Sequence, residues 1–425
     1  MVGLNPVEYK VTLTVKTPLA VTTGESYQLT DYALKDGLLF LIDSDAFASY
    51  LIKVGKFQEF INLISSADRN LKTLRAFVDS VFESGFEELV KSSRKVECDS
   101  EALRALRESE GKNEIRKIYR NPIDGEPYIP GSTVKGAVRN ALESKILIDA
   151  LKNIEVKELP YLFEELNALK EREKKEEVLD CLSMLCSKLK GILGNEVFCD
   201  FKRADKEKKK RDKKGRGLGD KDVVKIFDQL VDLTLRKNLR KEIFVVLKKS
   251  SKKPSPTAGD LMRFVKVSDF RMVKGKVKVG LPKNSKMEKG PKVFTEYVVP
   301  GSEFVGTITV YEGVEKLFPS SELTMEFLIK ALRVHSSRVF SVEKKRGLVP
   351  ENWHLKVPAD YRTSKCKSIL KLGFHSGALA KTVSDEHLRA VYVPQSKSYR
   401  EAPSSIWLLN REPMGWCLIE VEKCR

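Results

Sequence analysis

Lys135 and Arg139 stand four residues apart, just behind Pro130-Gly131-Ser132-Thr133. At helical spacing the two cations share one side. A helix start also offers unpaired backbone N–H groups and the positive end of the helix dipole. Ser132 or Thr133 is placed to cap it, and the small residues Gly131 and Gly136 leave backbone accessible. The chemistry these residues suit is anion binding. Val134, Ala137, Val138, Ala141 and Leu142 recur as one apolar face, so an ordinary amphipathic helix with solvated cations fits the same letters. The stretch is not a Walker loop, because it lacks the Gly-Lys-Ser/Thr ending that holds a triphosphate and its metal.

Residue types that do catalysis are sparse. The four histidines, His335, His354, His375 and His387, all follow residue 330. Asp43 and Asp45 read as helix caps, and no further carboxylate joins them in the way a two-metal nuclease requires. The seven cysteines (98, 181, 186, 199, 366, 417 and 424) include no Cys-x-x-Cys pair. Cys181 and Cys186 have no nearby histidine, so reduced, buried thiols are expected rather than a zinc site or a disulfide framework. No metal and no cofactor are expected.

The elements that must position these residues alternate in character. Tyr9 to Val15 and Leu38 to Ile42 read as strands, and Asp43-Ser44-Asp45 caps a helix through Phe47 and Leu51. A helical pattern runs from about Lys56 to Glu110 and again from Ile148 to Leu193. Lys202 to Arg216 holds ten Lys/Arg against three Asp/Glu, +7 over fifteen residues, and reads as a basic loop suited to phosphates. Val223 to Leu247 reads as another helix, followed by a Lys/Ser/Pro linker at Ser250 to Thr257. The second half is strand-rich: Phe264 to Val267, Met272 to Val279, Val293 to Val299, Glu303 to Val310, Ser405 to Leu409 and Met414 to Val421, with a helix at Leu323 to Leu332.

At 425 residues and 41% hydrophobic content the chain can build two cores. Its 77 Lys+Arg against 59 Asp+Glu leave +18, which favours a polyanionic partner. No apolar run is long enough to span a bilayer and no signal peptide is visible, so a cytoplasmic protein without membrane contact is expected.

Four segments, in order, resemble the RAMP superfamily, the RNA-binding proteins of CRISPR effector complexes. They are Thr17 to Glu25 followed by Asp31-Tyr32, Tyr128 to Arg139, Val298 to Phe304, and Lys371 to Leu379. The last is similar to the family's glycine-rich loop, with Phe374 and His375 where glycine is usual. Length, the Asp31-Tyr32 step and the Leu-Gly-Phe-His-Ser-Gly form are most similar to the fifth-subunit group of Csm-type, or type III-A, complexes.

The resemblance implies an α+β fold: two ferredoxin-like (RRM-like) βαββαβ domains with a large helical insertion. The expected division is 1–255, with helical insertions at about 56–118 and 148–250, and 256–425. It further implies a non-catalytic subunit that binds the 3′ region of guide crRNA, caps the backbone filament and supports crRNA maturation in antiviral defence. Partners implied are crRNA, neighbouring backbone subunits and a host nuclease.

Site residues implied for RNA are Gly24, Tyr27, Tyr128, Gly131, Ser132, Lys135, Gly136, Arg139, Lys371, Gly373, Phe374, His375 and Gly377, with Tyr32 a further stacking candidate. His375 is read either as a base or phosphate contact or as a packed side chain. Two other classes stay open. A RAMP-type ribonuclease would use Asp31, since related backbone subunits cut target RNA with an Asp after the first strand. Here Asp31-Tyr32 follows the non-cutting pattern, and a turn-capping Asp31 is preferred. An assembly protein with little RNA contact would use the helical insertion.

Overall fold

The computed structural model describes residues 4–65, 71–108, 114–152, 183, 261–286, 292–313, 323–377, 379–381, 390–393, 398–401 and 405–422. The basic tract 202–216, the helical stretch expected over 148–193 beyond residue 152 (Ser183 apart), the helix expected over 223–247, the linker 250–257 and Cys181, Cys186 and Cys199 lie outside the described residues.

The first part of the chain runs β1 (Asn5–Val15), β2 (Thr22–Tyr27), β3 (Tyr32–Lys35), β4 (Leu38–Leu41), α1 (Ser44–Lys53), α2 (Phe57–Ser65), α3 (Leu71–Ser84), α4 (Phe86–Leu89), β5 (Arg94–Cys98), α5 (Ser100–Glu108), β6 (Ile115–Ile118), β7 (Tyr128–Ile129) and α6 (Gly131–Lys152). The later part runs β8 (Val265–Val267), β9 (Phe270–Lys274), β10 (Val277–Gly280), β11 (Lys283–Asn284), β12 (Phe294–Val298), β13 (Glu303–Glu312), α7 (Met325–Lys345), β14 (Lys367–Lys371), β15 (Ala390–Val393), β16 (Ser398–Glu401), β17 (Trp407–Leu409), β18 (Glu412–Pro413) and β19 (Trp416–Val421).

The alternation in Tyr9 to Val15 becomes the centre of the first sheet. Val11, Leu13 and Val15 are fully buried, and the threonines between them face the other way. β1 pairs antiparallel with β13, from Asn5 opposite Glu312 to Thr14 opposite Glu303, and on its other edge with β19. The sheet order is β14-β19-β1-β13-β9-β7, with β8 also on β13. Along the chain, β1, α6, β9, β13, α7 and β19 trace a βαββαβ path with strand order β19-β1-β13-β9. α6 (Val134, Val138, Leu142) and α7 (Leu328, Ile329, Leu332) share one apolar cluster with Val11, Leu13 and Val15.

The second sheet, β2-β6-β12-β10-β5-β4-β3, is covered on both faces. Leu39 and Leu41 pack with Ala102, Ala105 and Leu106 of α5, while Phe40 and Ile42 pack with Phe47, Leu51, Val78 and Phe82 of α1 and α3. A mixed α+β architecture is therefore present, but the division at residue 255 does not follow the sheets. Each large sheet takes strands from both sides of it. Alternation shows which face a strand buries, not which strand it pairs with.

Three local expectations also change. The stretch 56–110 is not wholly helical, because β5 within it pairs with β4 and β10, and β6 just beyond pairs with β2 and β12. Met272 to Val279 is two strands, parted at Gly275 and placed in different sheets. The helix expected at 323–332 extends to Lys345, capped by Thr324, whose hydroxyl accepts the Phe327 N–H at 3.1 Å. Asp43 does cap α1, accepting the Ala46 N–H at 2.8 Å.

Candidate nucleic-acid interface

The start of α6 is set by partners distant in sequence. β7 pairs with β9, and the Gly131 N–H donates to Asp269 Oδ1 at 2.8 Å. Ser132 and Thr133 lie inside the first turn instead, with the Thr133 N–H donating to the Pro130 carbonyl at 2.9 Å. The cap expected from these hydroxyls is thus supplied by Asp269, which leaves Ser132 exposed. A Cβ on Gly131 would lie 2.4 Å from the Val267 carbonyl oxygen, so this glycine serves the close approach of helix start and β8.

α6 forms one wall of a cleft of about 340 Å³. Ser132, Thr133, Gly136, Ala137 and Asn140 line that wall. Opposite are Lys371 to Phe374, Ser376, Ala380 and Lys381, with Val21, Thr22 and Tyr119 completing it. Three of the four sequence segments thus converge on one concavity. The fourth holds the first in place: the Leu19 and Val298 backbones exchange hydrogen bonds at 2.7 and 3.1 Å, and the Gly301 N–H donates to the Val15 carbonyl at 2.8 Å. At Gly136 a Cβ would meet nothing within 4 Å, so bare helix backbone faces open space there.

The loop after β14 is built differently from an anion cradle. The Phe374 N–H donates to the Ala20 carbonyl at 2.8 Å, and the Leu372 N–H to the Gly415 carbonyl at 2.8 Å. Gly373 holds φ +90° with a Cβ position 2.4 Å from the Ala20 oxygen, so only glycine fits. Its neighbour His375 is 2% exposed, with Nε2 3.3 Å from Thr295 Oγ1 and its ring against Trp407. Burial, with Arg116 and Lys381 nearby, pulls His375 down to about 3. A neutral, enclosed imidazole reaches no phosphate or base in this conformation, which corrects the RNA-contact reading of His375 in favour of packing.

Lys371 is corrected likewise. Its ammonium forms a buried ion pair with Glu343 of α7 and lies 5.2 Å from the Trp416 ring. Burial pushes the Glu343 carboxyl above its ordinary value, and Lys371 opposes that. Tyr32 is 2% exposed under the Arg75 guanidinium and belongs to the core.

Phe374 stays at the surface, 43% exposed, at the cleft rim. Tyr27 is half-buried with Lys117 Nζ 4.6 Å from its ring centroid, and desolvation first, then Glu296, raises its hydroxyl to about 12. Tyr128 is half-buried edge-on to Tyr119. Lys135 and Arg139 are half-buried on the flank of α6 beside the cleft-lining residues, and neither is among those that line it. Gly24 lies within β2 where its register against β6 shifts, and Gly377 follows the buried Ser376.

Asp31 closes its own turn. Its carboxylate accepts the Gln28 N–H at 2.9 Å and the Thr30 hydroxyl at 3.3 Å, and Arg75 of α3 holds the Leu29 and Tyr32 carbonyls. Among the described residues no group of three or more His, Cys, Asp or Glu could hold a metal, and no helix is long and apolar enough to cross a membrane. Sequence reading missed Tyr119, Asn140, Arg116 and Lys381. Asn140 sits at i+4 from Gly136 and could have been found by extending the polar face one turn, whereas Tyr119 and Lys381 reach the cleft, and Arg116 the Phe374 ring at its rim, only through tertiary pairing.

Comparison with known proteins bears on the family and the fold. The family pattern described as "RAMP superfamily" matches residues 12–337. A curated relative from Methanocaldococcus jannaschii, "CRISPR system Cms protein Csm5", is 33% identical over 138 residues, 31% of this chain and 30% of the relative. A protein of the same name from Streptococcus thermophilus is 26% identical over 138 residues, 32% of this chain and 37% of the relative. The matched stretch thus spans about a third of each relative's length. Among solved structures, a chain of a Csm–crRNA–target RNA ternary complex of a type III-A CRISPR-Cas system superposes with TM-score 0.56 at 17% identity, covering 97% of this chain and all of that one. The crystal structure of T. onnurineus Csm5 gives TM-score 0.53 at 17% identity, covering 96% and 99%.

Proposed function

This chain belongs to the RAMP superfamily, and from that premise we propose that it is a non-catalytic RNA-binding subunit of a type III-A CRISPR effector complex. In this reading it holds the 3′ region of guide crRNA, caps the backbone filament and supports crRNA maturation in the cytoplasm. Its partners are the crRNA, neighbouring backbone subunits and a recruited nuclease. The observation that carries the reading is the cleft, where α6, the Val21–Thr22 segment and the loop after β14 present hydroxyls, bare backbone and an exposed aromatic together. A net charge of +18 supports a polyanion as the occupant. The names of the two Csm5 relatives and of the ternary complex support its place in such an assembly.

Lys135 and Arg139 contribute long-range attraction from the flank of α6. Phe374, Tyr27 and Tyr128 offer aromatic surface to bases without reading sequence, as a guide-binding protein requires. Asp31 contributes turn geometry and no chemistry.

The test is a binding titration of purified chain with labelled single-stranded RNA across a salt series, followed by incubation with Mg²⁺. Affinity should fall steeply with salt and the RNA should stay intact. Salt-independent binding, or metal-stimulated cleavage that Asp31→Ala abolishes, would sink the reading.

A further inference from the structure

Arg116 of β6 and Lys381, beyond the loop after β14, approach the same aromatic ring from different elements. The Arg116 guanidinium carbon lies 4.4 Å from the Phe374 ring centroid and Lys381 Nζ lies 5.6 Å from it. Lys381 also donates to the Phe374 carbonyl at 2.8 Å. Other firmly placed cations have a carboxylate: Arg75 has Asp79, Arg120 has Glu296, and Lys367 has both Asp360 and Glu420. Among the described residues, Arg116 and Lys381 form no ion pair.

The surroundings sharpen the contrast. Lys381 lines the cleft, and desolvation alone depresses its ammonium. His375, on which both cations act, is neutral and enclosed, and it brings no negative charge. Two cations held beside a half-exposed ring, with no ion-pair partner among the described residues, make a place suited to an external anion. The adjoining cleft offers Ser132, Thr133 and Asn140, the hydroxyl and amide groups that suit a ribose. The exposed part of the ring offers aromatic surface to a base. Phosphate, sugar and base functions thus lie within one site, a combination that an acidic peptide does not use.

We propose that Arg116, Phe374 and Lys381 form a clamp for a phosphodiester of single-stranded RNA at the mouth of the cleft. This rests on the RNA-binding reading above and adds to it the residues that would seize the backbone. None of the three gains its role from the α6 cations Lys135 and Arg139, so the two contributions separate experimentally.

The experiment compares the full chain with Arg116→Gln/Lys381→Gln, using a labelled single-stranded RNA oligomer over a salt series. Melting curves check the fold. The double variant should bind about ten-fold more weakly at low salt, with the slope of log K against log salt reduced by about 0.7 for each cation lost. Should it melt at a lower temperature, Phe374→Glu at the exposed ring brings a carboxylate to both cations and should weaken binding in the same way.

If wild type shows no salt-dependent RNA binding, the functional reading fails and the clamp with it. If wild type binds and a folded double variant, or Phe374→Glu, keeps both affinity and slope, the clamp is overturned while the functional reading stands. Polyglutamate at equal charge concentration should not displace the RNA. Displacement that depends on Arg116 and Lys381 would assign the site to acidic protein instead.

Discussion

Asp269 caps a helix that begins 138 residues before it: its Oδ1 accepts the Gly131 N–H at 2.8 Å. The bond ties the loop between β8 and β9 to the first turn of α6, whose hydroxyls line the cleft. Capping from a distance releases Ser132 and Thr133 from that duty. Asp269→Ala should therefore cost about 1 kcal/mol of stability, and Asp269→Asn should recover most of it. Urea denaturation midpoints read both. Equal midpoints for wild type and the alanine variant would mean that the cap contributes nothing.

Two glycines of α6 should respond in opposite directions to the same substitution. At Gly131 an added methyl meets the backbone carbonyl of Val267, which cannot rotate away, so Gly131→Ala should destabilise by about 1–3 kcal/mol. At Gly136 the methyl meets open cleft, and the helix propensity gained should stabilise by up to about 1 kcal/mol. If RNA backbone lies against Gly136, the more stable protein will bind RNA less well. A Gly136→Ala variant that gains stability and loses no affinity would place the RNA elsewhere.

What the letters revealed follows from which interactions are local. The alternation of β1, the apolar face of α6 and the Asp43 cap depend on neighbours a few residues away, and all three stand as read. The Asp269 cap, the split of Met272 to Val279 across two sheets and the mixing of strands about residue 255 depend on pairings between distant segments. The same reason separates the site residues. Ser132 was visible as a residue of the helix start and Gly136 as a small residue in the same motif, while Arg116 gives no sign on a short strand that it will lie against Phe374. Lys371 was misread because a lysine beside a glycine-rich loop looks available until α7 brings Glu343 to it.

The Lys371–Glu343 pair joins β14 to α7 beneath the cleft loop. Removing one partner leaves the other charge buried, at a cost of about 3–5 kcal/mol. Lys371→Met should therefore lower stability strongly. Replacing both, as Lys371→Met with Glu343→Leu, should recover most of the loss. Where the single variant still folds, the salt slope of its RNA binding should match wild type, since its ammonium holds a carboxylate and not a phosphate. A reduced slope with unchanged melting would return Lys371 to the RNA-contacting set.

Two buried histidines predict how the protein responds to acid. His335 of α7 lies 3.0 Å, Nδ1 to Oγ, from Ser144 of α6, and burial pulls it down to about 4. His375 is pulled down to about 3. Above pH 6.5 both are neutral whether folded or unfolded, and stability does not depend on them. Below it the unfolded chain takes up protons that the folded chain refuses, so stability falls by about 1.4 kcal/mol per pH unit for each histidine until the folded value is reached. Between pH 6.5 and 5 the pair should thus cost about 3 kcal/mol. His375→Gln, which can keep a bond to Thr295, should remove about half of that dependence, as read from urea midpoints at the two pH values. RNA affinity between pH 7 and 6 separates the same residue's two readings. A histidine on phosphate would gain charge and tighten binding as pH falls, whereas an enclosed neutral ring leaves wild type and His375→Gln with the same pH profile.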